Sequence, residues 1–294
     1  MERERALSDF LMFPDGKKKA FTMSYDDGTI HDRKLVELMN RNGIRGTFNL
    51  NAGFLGLIRQ AQMDDVKVDT SVIDAREVRT LYQEHEVAGH GLYHGNPAWI
   101  GSSTMLYETV EDKRQLEALT GKLVRGYAYP FGESRETTKE ILKLAGYHYA
   151  RSVETTGKFD LPNDFFEWRG TCHHDDVELM NLAKAFIEDS GFSAKVFFLW
   201  GHSYEFEQKN MWDKIEEFLS YMGQHGKEIW FATNIEICDY VSAYHSLEYS
   251  ADGSMIYNPS ATDVWIWRAG KAEHIVSGQI WRERKSANDN LTHS

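Results

Sequence analysis

The chain has 294 residues, of which 41% are hydrophobic and 27% charged, and a formal net charge of −12. That is ordinary for a soluble globular protein and long enough to bury a large core without staples. The acidic balance argues against nucleic acid as a partner, because surfaces that neutralise phosphates are basic. The two cysteines, Cys172 and Cys238, make no disulfide framework. No apolar run approaches the roughly 18 residues a membrane helix needs, so no membrane insertion is expected. Residues 1–16 lack the pattern of a signal peptide. The expected address is therefore the cytoplasm, or secretion if a signal has been removed.

Short apolar runs alternate with helix-period segments, which predicts an α/β fold with a mainly parallel sheet. Residues 20–25 read as a buried strand, 32–42 as a helix stopped at Gly43, and 46–50 as the next strand. Asp74 reads as the N-cap of a helix to about residue 84, followed by a short strand at 86–88. A long helix over 104–120 ends at Gly121. The strand 125–129, the helix 136–145 and the strand 147–152 follow. Then come a helix over 175–188, a strand over 195–200, a helix over 211–221 and a last strand over 228–232. The count is close to seven strand–helix units, which is barrel arithmetic. Residues 1–246 are expected to form this barrel. Residues 247–294 are expected to form a β-rich extension packed on it, compatible with a role in oligomer contacts.

Polar residues just after strands are where such folds build sites. Four segments stand out. In Ser24-Tyr25-Asp26-Asp27-Gly28, neighbouring carboxylates can point different ways, one toward a cation and the other toward substrate. An Asp-Gly turn with solvated acids is the plain alternative. In Gly89-His90-Gly91-Leu92-Tyr93-His94, histidines four apart lie on one side of a helical turn, a common arrangement for a shared metal. Two surface histidines near a turn are the alternative. Tyr127-Ala128-Tyr129-Pro130-Phe131-Gly132 ends a strand in a turn that can expose a backbone N–H as an oxyanion donor, or in a turn of no function. Phe197-Phe198-Leu199-Trp200-Gly201-His202 delivers a histidine to a strand end, as a proton donor or as a structural residue. One Asp and two His leave metal positions open, as catalytic zinc sites do. A second Asp can accept a proton and a distant His can deliver one. These are the parts of metal-assisted acyl hydrolysis.

With those residues in view, the sequence resembles the NodB-like polysaccharide deacetylases, carbohydrate esterase family four, over roughly residues 18–240. Ser-Tyr-Asp26-Asp27-Gly is similar to the family's Thr-Phe-Asp-Asp-Gly, and His90-Gly-Leu-Tyr-His94 to its His-Ser/Thr-x-x-His. Tyr-Ala-Tyr-Pro130-Phe131-Gly132 is similar to its Arg-x-Pro-Tyr-Gly, and Leu199-Trp-Gly-His202 to its Leu-x-x-His. Four motifs in the family's order are a far more specific signal than any one of them. The resemblance implies a distorted (β/α)7 barrel, with Asp26 as general base and His202 as general acid. Asp27, His90 and His94 would hold a divalent ion, and the backbone N–H of Phe131 would face the oxyanion. Zinc suits this donor set best; cobalt, nickel, manganese and iron also bind such ligands. The implied reaction is deacetylation of an N-acetylated or O-acetylated glycan, or of a small acetylated substrate. A non-sugar amide as substrate, and a catalytically weak carbohydrate-binding barrel, remain open. Tyr93, Pro130 and Trp200 are candidate substrate contacts. Two departures stand out. Ala128 occupies the position of the family's third-motif arginine, with Arg169 as the candidate replacement. The family's Asp–Trp pair that orients the acid histidine is read here as Trp168 with Asp175 or Asp176. His173-His174 reads as a solvated loop or, with Asp175 and Asp176, as a polar cluster at the mouth of the site, and Ser203-Tyr204-Glu205-Phe206 reads as a candidate rim.

Overall fold

The computed structural model describes residues 9–63 and 65–283. They fall into two compact units. One comprises residues 19–191 and 195–238, and the other residues up to 18, 192–194 and from 239 onward.

The larger unit is built on parallel strands: β1 (Lys19–Asp26), β2 (Thr47–Leu50), β3 (Glu86–Gly89), β4 (Gly126–Ala128), β5 (Tyr149–Thr155), β6 (Trp168–Gly170), β7 (Cys172–His173) and β8 (Lys195–His202). Their spatial order is β7-β8-β1-β2-β3-β4-β5-β6. β6 pairs with β5 and β7 with β8, although only Thr171 separates them in sequence. Thr171 N–H itself donates to the Phe198 carbonyl at 2.7 Å. This single extended segment therefore crosses between the two ends of the sheet and nearly closes a barrel of eight strands, as the distorted (β/α)7 reading expects. β9 (Ile229–Phe231) pairs only with the first residues of β1.

Helices α1 (Asp32–Arg41), α2 (Val78–Leu81), α3 (Ser102–Thr120), α4 (Glu136–Leu144), α5 (Leu179–Glu188), α6 (Tyr204–Gln208) and α7 (Trp212–Gly223) connect the strands. β1 reads as a continuous apolar run because it is buried along its whole length. α1 buries Leu35, Val36, Leu38 and Met39 on one face against the sheet core of Phe21, Met23, Phe48 and Leu50.

Two expected elements differ. The helix expected from Asp74 is only the four residues of α2. The Asp74 carboxylate instead accepts the Arg76 backbone N–H at 2.9 Å and pairs with the Arg76 side chain, a local turn that competes with helix initiation. The helix expected from residue 175 starts at Leu179. Before it, Asp175 and Asp176 are spent on turns with His173 and Glu178.

The smaller unit contains Phe10–Met12 paired antiparallel with Val264–Arg268, which pairs with Lys271–Ile275. A second antiparallel set joins Glu248–Tyr249, Met255–Tyr257 and Ile280–Arg282. Val264, Ile266 and Ile275 alternate into its core with Ile256. The division between units falls within α8 (Asn234–His245). Pairing with Val264–Arg268 is the reason residues 10–12 group with the tail and not with the barrel strands.

Candidate active site

Strand register sets the first row of the site. Asp26 ends β1, and its register partners are His202 at the end of β8 on one side and Asn49 in β2 on the other. Asp26 is 2% exposed. Asn49 Nδ2 donates to Asp26 Oδ1 at 2.8 Å and to the Ser24 hydroxyl at 2.8 Å. Arg151 Nη2 donates to the same Asp26 oxygen, and Arg151 Nε reaches Ser24 Oγ at 3.2 Å. Burial would raise the pKa of Asp26. The Arg151 guanidinium, with His90 and His202 beside it, outweighs burial and holds the carboxyl well below the usual carboxylate range. Asp26 is therefore buried and ionised.

Arg151 answers the question posed by Ala128. Ala128 in β4 and Arg151 in β5 are register partners. The missing cation is thus supplied by the adjacent position on the next strand, from a fully buried side chain that also stacks over Trp200 at 4.9 Å. Arg169 does not take this part. It is half exposed and paired with Glu154 at 2.8 Å.

The chain then turns sharply. Asp27 has φ +72° and Gly28 φ +58°, and a Cβ on Gly28 would lie 2.7 Å from Leu50 Cδ2. Only glycine fits there without strain. Asp27 N–H donates to the Asn49 carbonyl at 3.1 Å, which fixes the turn. Its carboxylate approaches two imidazoles: Asp27 Oδ1 is 3.8 Å from His90 Nε2, which is also 3.8 Å from Asp26 Oδ2, and 4.0 Å from His94 Nε2. The two Nε2 atoms are 3.1 Å apart.

No helical turn joins His90 and His94, contrary to the spacing argument. The loop after β3 bends through Gly91 (φ +78°) and His94 (φ +56°) and brings the rings to a centroid distance of 4.6 Å. α3 holds this loop from below. Asp112 accepts the backbone N–H groups of His90 and Ala52 at 3.1 and 2.8 Å, and Glu108 accepts that of Tyr93 at 2.8 Å. His90 Nδ1 faces the Ala128 carbonyl at 2.8 Å, which assigns the proton to Nδ1 and leaves Nε2 as a donor atom. Burial, then the neighbouring His90, pulls His94 down to about 4, against the opposing pull of Asp27 and Asp26. It is a neutral imidazole at neutral pH.

These three donor atoms fit a divalent ion. Ligands about 2.0–2.1 Å from one zinc lie roughly 3–3.5 Å from each other, and the separations here are 3.1–4.0 Å. One face of the ion would be free for water and substrate. The same donors suit other borderline divalent metals.

His202 Nε2 lies 3.8 Å from Asp26 Oδ2, and its Nδ1 lies 3.4 Å from Glu205 Oε2. Burial would lower its affinity for a proton. Glu205, Asp26 and Asp27 outweigh that and raise it to about 9. The acidic partner of His202 Nδ1 is thus Glu205, three residues further on. Asp175 and Asp176 do not play that part: Asp175 pairs with His173 and Lys209. Trp168 is buried in the barrel wall against Tyr149 and Phe198. His174 is not solvated; it is 1% exposed and stacked on Tyr25.

Around the mouth, Phe131 has φ +61° in the Pro130–Gly132 turn and its ring meets His94 at 4.6 Å. Pro130 is buried and Tyr93 is exposed. Trp99, unnoticed in the sequence, is 83% exposed and sits 6.5 Å from Phe131. Trp200 faces inward, 8% exposed, and offers no open ring face.

Residues 14–150 match the family model for polysaccharide deacetylase. The match takes in Asp26, Asp27, His90, His94 and the Pro130–Gly132 turn, so the resemblance read from the motifs is borne out over that span. Among solved structures, a suspected polysaccharide deacetylase from Mycobacterium smegmatis is 15% identical, with 81% of this chain covering 95% of that one at a TM-score of 0.59. A mutant, with restored enzymatic activity, of a carbohydrate esterase family four pseudoenzyme from Bacillus anthracis is 13% identical, over 78% of this chain and 70% of that one, at 0.50. A Streptococcus pyogenes deacetylase in complex with acetate is 16% identical over 45% of this chain, at 0.39, and the chain spans 55% of its length. At these identities the likeness shows the fold: the polysaccharide deacetylase barrel. No curated protein sequence matches the chain. Among the described residues, no helix is long and apolar enough to cross a membrane.

Proposed function

We propose that the protein is a metal-dependent hydrolase that removes acetyl groups from an N-acetylated carbohydrate, or from an O-acetylated one. The observation that carries this reading is the pair of adjacent carboxylates with different surroundings: Asp27 toward the Nε2 atoms of both His90 and His94, Asp26 toward a buried guanidinium. Asp27, His90 and His94 would hold the ion, which when bound supplies Lewis-acid polarisation of an acyl carbonyl and acidification of water. Asp26, held ionised by Arg151, takes the proton of the attacking water. His202 Nε2 gives a proton to the departing nitrogen or oxygen, and Glu205 on its other nitrogen steadies the charge it carries beforehand. The N–H of Phe131, presented by its left-handed backbone, donates to the developing oxyanion.

Sequence alone left room for a barrel without activity, on the ground of the missing arginine. Arg151 removes that ground. The test is acetate release from N-acetylglucosamine oligomers and from acetylated xylan against a panel of small non-sugar amides. Turnover on the sugars, lost on chelation and restored by Zn²⁺ or Co²⁺, is the expected result. Turnover confined to the small amides would replace the substrate class, and none on any acyl substrate would sink the reading. On the sugars, Trp99→Ala raises KM several-fold with kcat kept, because an open indole beside the site offers a face to a sugar ring.

His202 gives a second expectation. The carboxylates facing it, Asp26 and Asp27 from the end of β1 and Glu205 from α6, outweigh the imidazole of His94, and the Tyr204 ring 5.2 Å away adds no cation. Its folded-state value near 9 lies above the ordinary 6.5 or so. The stability that charged His202 contributes is therefore fully present below about 6.5 and lost as pH rises through about 9. Imidazole NMR titration of metal-free protein should place His202 near 9, and Glu205→Gln should move it down. A His202 that titrates at or below 6.5 rules it out as a proton donor held charged at neutral pH.

A further inference from the structure

A second group of metal-type donors lies on the far side of His202. His173 closes β7, His174 follows it, and Glu205 lies in the first turn of α6. Glu205 Oε2 is 3.0 Å from His173 Nε2, 3.3 Å from His174 Nε2 and 3.4 Å from His202 Nδ1. The donor atoms of His173, His174 and Glu205 all lie within 4.8 Å of one another.

Three features separate this group from an ordinary ion pair. First, His173 carries the support of a ligand imidazole. Its Nδ1 faces Asp175 Oδ1 at 2.5 Å, Asp175 is in turn paired with Lys209, and Nε2 is left turned to the cluster. A carboxylate behind the imidazole is how a metal-binding histidine is usually oriented. Second, His174 is 1% exposed, and neither of its ring nitrogens makes a hydrogen bond, although Nε2 is 3.3 Å from a carboxylate oxygen. A buried polar atom without a partner is costly, and a nitrogen lone pair directed at a shared ion is satisfied by that ion. Third, the unsatisfied buried atoms gather here. Of the ten such side-chain atoms among the described residues, five belong to His174, His202, Trp200 and Tyr25. Trp200 and Tyr25 have their rings against His173 and His174 respectively. The 3.0–3.3 Å separations from Glu205 match the edge of about 3.3 Å that ligands 2.0–2.1 Å from one tetrahedral zinc make with each other.

We propose that His173, His174 and Glu205 form a second divalent-cation site, separate from Asp27, His90 and His94, that ties the end of β7 to α6 behind the acid histidine. Two imidazoles and one carboxylate select a borderline ion of the zinc class over calcium or magnesium, which prefer oxygen ligands. The side chains of His173 and Glu205 are 18% and 15% exposed, so an ion reaches the site without unfolding. Its work is positional: with Glu205 fixed by an ion, the carboxylate beside His202 is held in one place.

The test counts metal on the full chain, independently of turnover. Protein equilibrated with Zn²⁺ and freed of excess is analysed for zinc per chain, and Co²⁺ titration is followed by its visible absorption. Two equivalents are expected for the wild type, one for His94→Ala, one for His173→Gln and none for the double variant. Asp175→Asn, at a partly exposed position that leaves all three donors in place, guards against a His173 variant that fails to fold. It should keep two equivalents at saturation, with the weaker one bound about 10–100-fold less tightly. Wild type saturating at a single equivalent overturns the proposal, as does His173→Gln retaining two. The count stands whether or not the protein deacetylates sugars: a second equivalent without turnover would sink the proposed function and leave this site intact.

Discussion

Asp26→Asn removes activity by about 10²–10⁴-fold, the usual contribution of a positioned general base, while the bound metal stays. The two effects separate because the two carboxylates are wired differently. Asp26 receives Asn49, Arg151 and the approach of His202, and the amide of asparagine keeps its shape without its basicity. Asp26 Oδ2 is also 3.8 Å from His90 Nε2, but Asp27 is the carboxylate within 4.0 Å of both His90 and His94. His94→Ala is the matched control. It should lower metal content and activity together, because the remaining Asp27 and His90 leave the ion with two protein ligands. Zinc analysis beside acetate release reads both at once. If Asp26→Asn lost metal as completely as His94→Ala, the division of labour between the carboxylates would be wrong. If Asp26→Asn kept near-full turnover, the base would have to be sought elsewhere.

The strands that carry the site were legible because they are buried on both sides. The segments 20–25 and 195–200 read as apolar runs, and the polar residues that follow them stand out against that background. What the sequence hid was conformational. His90 and His94 have helical spacing, yet positive φ at Gly91 and at His94 itself makes the approach. No periodicity reports a left-handed histidine. α8 was missed because its buried positions, Ile237, Cys238, Tyr240, Val241 and Ala243, run nearly around the helix and leave no stripe. Glu205 reads in the sequence only as part of a rim, because its contact with His202 depends on α6 beginning at once after β8. Arg151 left a usable trace: one charge inside a strand otherwise read as apolar. A lone arginine in a buried strand needs a buried anion, and the only strand-end acids already in view were Asp26 and Asp27.

Arg151→Met destabilises the protein by about 3–5 kcal/mol at neutral pH, the cost of leaving one member of a buried ion pair uncompensated. Methionine fills much of the volume, so the loss is chiefly electrostatic: Asp26 stays 2% exposed with Asn49 as its remaining donor. The pH dependence distinguishes this from a packing defect. In the wild type, the depressed Asp26 contributes stability that is present above its ordinary range near 3.9 and is lost as pH falls through its still lower folded value. In the variant, burial is opposed only by His90, His202 and the Asn49 amide, so Asp26 rises relative to the wild type and its stabilising contribution above the ordinary range shrinks. The deficit relative to wild type should therefore be largest at neutral pH and shrink steadily toward pH 4. Urea denaturation at several pH values measures it. Arg151→Lys should recover only part, because an ammonium restores the charge but cannot reach Ser24 and Asp26 together as the guanidinium fork does. A deficit independent of pH would show that Arg151 works through packing against Trp200 and not through the charge of Asp26.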